Sequence, residues 1–108
     1  MQDNSYRNDR DEMRDLLKQF ENLRTGMGHG FLEEDAFEKI IDYFDDKDDI
    51  AGALEAAELG VGQFPYSAAL MVKKADLLIA TRRYNDALEM LEKAEILDSS
   101  DIDIYILK

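Results

Sequence analysis

Apolar residues recur at helical spacing in five stretches of this chain, and a sixth opens at its end. Met13, Leu16, Leu17, Phe20 and Leu23 follow i, i+3, i+4, i+7 and i+10, one face of a helix over Asp9–Leu23. Asp11, Glu12 and Asp15 come early and Arg24 comes late, as the helix dipole prefers. Residues 1–8 are polar and aperiodic and read as a flexible tail. Three alternating glycines in Thr25–Gly30 stop the first helix, and Phe31 and Leu32 follow as apolar plugs. A second helix is predicted from Glu33 to Asp45, with Ala36, Phe37, Ile40, Ile41, Tyr43 and Phe44 apolar. Asp45–Asp49 makes a turn whose last carboxylates stand where an N-cap is wanted. The third helix, Ile50–Gly62, has small faces from Ala51, Ala53, Ala56, Ala57 and Gly60. Pro65 breaks it. Ser67 caps a fourth helix reaching Thr81, with Ala68, Leu70, Met71, Ala75, Leu78 and Ile79 as its apolar set. A fifth, Tyr84–Leu97, turns Ala87, Leu88, Leu91, Ala94 and Leu97 inward. Asp98–Asp101 is expected to break and cap again, before a new helix at Ile102–Lys108.

Glu34 to Asp101 divides into two successive 34-residue units. Phe37 aligns with Met71, Phe44 with Leu78, Ile50 with Tyr84, and Ala57 with Leu91. Ala53-Leu54-Glu55 aligns with Ala87-Leu88-Glu89, and Tyr105 falls in phase with Phe37 and Met71. Six of 34 positions are identical, so the period and the size class carry the repeat. One Pro and six Gly argue against a turn-rich β protein, and the chain reads as all-α. The organisation expected is a tail (1–8), a capping helix with a Gly-rich loop (9–33), unit one (34–67), unit two (68–101) and the start of a third unit (102–108). The first helix lacks the small residue of the units, with Gln19 where they have Ala53 and Ala87. It therefore reads as the cap that such an array needs at an open end.

Two-helix units at this period resemble the tetratricopeptide repeat (TPR), whose pattern is Trp-x2-Leu-Gly-x2-Tyr, then Ala-x3-Phe, then Pro. Unit one offers Phe37-x2-Ile40-Ile41-x2-Phe44, then Ala53-x3-Ala57, then Pro65. Unit two offers Met71-x2-Lys74-Ala75-x2-Leu78, then Ala87-x3-Leu91, then Ser99. Ile41 and Ala75 replace the usual Gly, Lys74 the usual Leu, and Ser99 the usual Pro. The resemblance covers residues 34–108 and implies antiparallel helix hairpins stacked as a solenoid.

Charge narrows the partners. The chain has 13 basic and 25 acidic side chains, net −12, and residues 31–66 hold −9 of it. Binding nucleic acid or anionic membrane needs clustered Lys and Arg, so neither is expected as a partner. With no cysteine there is no disulfide framework or thiol chemistry. No signal-peptide pattern opens the chain and no apolar run could span a membrane, which leaves the cytoplasm as the expected compartment.

No motif for catalysis, cofactor or metal emerges. His29 is alone in a Gly-rich loop. Gly26, Gly28 and Gly30 follow a helix and precede Glu33-Glu34-Asp35, which would repel phosphate. Asp45–Asp49 fails the EF-hand spacing, because Ile50 and Ala51 fall at loop positions five and six. The expectation is a non-catalytic scaffold that binds a protein or peptide.

The TPR resemblance implies a concave groove lined by the first helix of each unit. Its lining would be Asp35, Glu38, Lys39, Asp42 and Asp45, then Ala69, Val72, Lys73, Asp76 and Ile79, then Asp103 and Ile106. Family members that clamp a terminal carboxylate use Lys and Asn there, whereas Glu38 and Asp42 stand in unit one. A basic or apolar segment is therefore expected. Self-association through the apolar C-terminal end is a further expectation. Two alternatives stay open: a purely structural segment of a longer solenoid, and an accessory domain of a larger protein.

Overall fold

A computed structural model describes the backbone of residues 2–26 and 31–106, and the side chains of 10–26 and 31–97. Among the described residues the fold is all-α, with five helices: α1 (Gln2–Thr25), α2 (Glu34–Asp46), α3 (Ile50–Gln63), α4 (Ala68–Ala80) and α5 (Tyr84–Ile106). Each packs on the next in sequence, in an antiparallel manner, and α2 also touches α4.

Two boundaries differ from expectation. The chain is helical from Gln2 rather than from Asp9, because no Gly or Pro interrupts the first 24 helical residues. The predicted break at Asp98–Asp101 is absent, and α5 runs through it. Asp and Ser cost at most about 0.7 kcal/mol each inside a helix. That is a far weaker stop than Pro65, which ends α3 by removing a donor and clashing with the preceding turn.

Local chemistry sets the other ends. Gly26 adopts a φ of 75° and donates its N–H to the Leu23 carbonyl, closing α1. Asp49 caps α3, its carboxylate accepting from the Gly52 N–H at 2.9 Å. Ser67 caps α4 by accepting from the Leu70 N–H at 3.2 Å. The α2–α3 and α4–α5 turns are built alike. Asp48 and Arg82 take left-handed φ of 59° and 65°. The Asp49 N–H bonds the Phe44 carbonyl at 2.9 Å, and the Arg83 N–H bonds the Leu78 carbonyl at 2.8 Å.

The main core lies between α1, α2, α3 and the near side of α4. Phe37, Ile40 and Ile41 of α2 meet Ala53, Ala56 and Ala57 of α3. Small residues on α3 let the helices approach closely: a Cβ on Gly60 would stand 3.1 Å from the Phe37 ring. Phe20 of α1 covers the outer side, its ring 5.8 Å from that of Phe44. Leu70 and Leu77 of α4 join the same core. A second, smaller cluster holds Ala75, Leu78 and Ala87, and Leu54 packs against both.

The apolar sets are corrected at three places. Leu77 is buried although it falls outside the predicted apolar set. Leu88, expected to face inward, is 57% exposed. Its counterpart one unit earlier, Leu54, is half-buried against α4. Among the described residues no helix covers α5 as α4 covers α3. Of the two plugs, Leu32 is buried, whereas Phe31 is 66% exposed and stays beside the Phe64 ring.

Candidate functional site

The face shared by α2 and α4 gathers most of the residues read from the sequence as groove lining. Glu38, Asp42 and Asp45 lie at i, i+4 and i+7 on α2, and so form one stripe. Val72, Asp76 and Ile79 repeat that spacing on α4. Val72 is 39% exposed and Ile79 42%, and Asp42, Asp45 and Asp76 are exposed as well. Two polar links join the helices. The Lys73 ammonium reaches Asp42 at 2.8 Å. The Ser67 hydroxyl donates to Glu34 Oε2 while accepting from the Leu70 N–H, so both of its hydrogen-bonding roles are filled.

The remaining residues divide. Lys39 turns toward α1, its Nζ 3.8 Å from Glu12. With Asp35 it lines a separate depression of about 300 Å³, bounded by Leu16, Phe31 and Leu32. Ala69 is exposed at the start of α4. The side chains of Asp103 and Ile106 lie outside the described residues, as does His29.

The electrostatics follow from this pairing. Lys73 is held by Asp42 and Lys39 by Glu12. Among the described residues, Glu38, Asp45 and Asp76 form no side-chain hydrogen bond or ion pair. The face thus presents uncompensated carboxylates beside two exposed aliphatic side chains. One pKa effect stands out elsewhere. The Arg24 guanidinium hydrogen-bonds Glu21 and holds its carboxyl below the ordinary range, and Arg24 is itself raised by the same bond.

Comparison with protein-family models, with curated proteins and with solved structures finds no match to this chain. The site therefore rests on its own geometry. Among the described residues, no three His, Cys, Asp or Glu side chains are placed to hold a metal ion. No described helix is long and apolar enough to cross a membrane.

Sequence reasoning missed Glu34. Ser67 was legible as an N-cap, but nothing in the spacing showed that a carboxylate 33 residues earlier would close on it. The Asp42–Lys73 pair was equally invisible, although both residues were in the predicted lining.

Proposed function

We propose that this chain is a non-catalytic interaction module of TPR-like helical hairpins, holding a protein or peptide segment on the face shared by α2 and α4. The observation that carries it is the pair of matched stripes, Glu38/Asp42/Asp45 on α2 and Val72/Asp76/Ile79 on α4. Carboxylates without a cation beside exposed aliphatic side chains favour a segment bearing both Lys or Arg and an apolar residue. The repeat reading draws on the helices themselves. Glu34 and Ala68 open α2 and α4, Ile50 and Tyr84 open α3 and α5, and each pair is 34 residues apart. The left-handed residues Asp48 and Arg82 keep the same offset. The contact of α2 with α4 is what a stacked pair of hairpins requires. The cytoplasm remains the compartment proposed for it.

The test is the double variant Glu38→Lys plus Asp45→Lys, which leaves the Asp42–Lys73 pair intact. Titration with a panel of Lys/Arg-bearing amphipathic peptides is expected to show binding to the native chain and at least tenfold weaker binding to the variant. That is about 1.4 kcal/mol, the scale expected when attraction at two exposed charges is turned into repulsion. Equal binding to both would mean that the acidic stripe takes no part in recognition.

A further inference from the structure

Phe64 closes one end of the α2–α3 pair. Pro65 stops the helix, and the Phe64 ring lies edge-on to Phe37 at 6.2 Å and beside Phe31 at 6.0 Å. One unit later, the counterparts of Phe31 and Phe37 are Pro65 and Met71. Together with Tyr66, Lys93, Ile96 and Leu97 they line an open cavity of about 220 Å³. The counterpart of Phe64 is Asp98, and there α5 continues as helix instead of breaking. The same two positions line the second site with different residues, and the chain does not turn back across them at this point.

We infer that this cavity, between the α3–α4 loop and α5, is a docking site for an aromatic side chain of phenylalanine type, presented by a basic segment of a partner protein. The site lies on the Met71 side of α4 and does not use the Val72–Ile79 stripe. Three observations select the occupant. In the first unit the equivalent place is filled by a phenyl ring. The lining is mainly apolar, and the Met71 thioether favours an aromatic neighbour. Lys93 lines the cavity and makes no ion pair among the described residues, so its ammonium is available to the face of an inserted ring. Glu89, Glu92 and Glu95 are exposed along α5 and complement basic flanks on the partner. A second copy of this chain would bring another −12 of charge to the same surface, which disfavours it as the occupant.

The experiment uses chain labelled at the methionine methyl groups, with Met71 assigned from Met71→Leu. Two blocked pentapeptides are titrated in, Lys-Ala-Phe-Ala-Lys and Lys-Ala-Ala-Ala-Lys. The phenylalanine peptide is expected to shift the Met71 methyl signal saturably, and the alanine peptide to leave it unmoved. Lys93 is exposed, so Lys93→Gln keeps the fold and is expected to weaken the phenylalanine peptide about two- to fivefold. An unmoved Met71 signal, or equal shifts from both peptides, overturns the proposal. So does a Met71 shift produced by changing protein concentration alone, since a second copy would then fill the cavity. The groove variant Glu38→Lys plus Asp45→Lys is expected to leave the Met71 shift intact, which separates this proposal from the groove.

Discussion

Single side chains hold the ends of these helices together more than their composition implies. Ser67 is the clearest case, because one buried hydroxyl caps α4 and ties it to Glu34 at the start of α2. Ser67→Ala removes the cap and strands the Leu70 N–H. The expected cost is about 1–2 kcal/mol, read as a lowered midpoint in urea or thermal melts. Glu21 gives a pH-dependent test. Its folded pKa is depressed by the Arg24 hydrogen bond. The linked stability is therefore present above the unfolded pKa of Glu21 and is lost as pH falls through the folded one. The native chain is expected to be the more stable at neutral pH, and Glu21→Gln to lose less on acidification, so that their denaturation midpoints converge. The pair is exposed to solvent, so the gap is small. Parallel midpoints at every pH would show that the Arg24 contact does not form in solution.

At the scale of helices, the pattern of apolar residues located all five, because the period of 3.6 survives wherever one face must be buried. It also picked out Phe37, Ile40, Ile41, Ala53 and Ala87 as interior, and these are buried. It failed at Leu88, where burial depends on whether another helix lies alongside, and it failed at Asp98–Asp101, where the stop signal lacked Pro or Gly. The helix crossing is testable. Ala87 is buried where α5 meets Ala75 and Leu78 of α4. Ala87→Leu is expected to overpack that crossing and cost about 1–3 kcal/mol. An unchanged melting temperature would mean that α4 and α5 do not approach there.

For the whole molecule, net charge matters as much as shape. The −12 opposes close approach of two copies and favours basic partners, and its strongest part lies on α2, α3 and the turn between them. Binding of a Lys/Arg-bearing segment to the α2–α4 face is therefore expected to weaken steeply between about 0.05 and 0.5 M salt, as screening shortens the range of the attraction. Salt-independent affinity in the same titration would assign the binding to Val72 and Ile79 instead. What the sequence determined by itself is the helical periodicity, the caps at Asp49 and Ser67, the spacing of 34 and the uneven charge. All of these are local or additive properties. Which carboxylates on α2 and α4 lack a cation was decided only by tertiary structure. Lys73 and Lys39 are spent on Asp42 and Glu12, while among the described residues Glu38, Asp45 and Asp76 stay without a cation, because pairing depends on which helices lie side by side. The open cavity beside Met71 was likewise a tertiary result, since it exists only where α5 runs on past the place at which α3 stops.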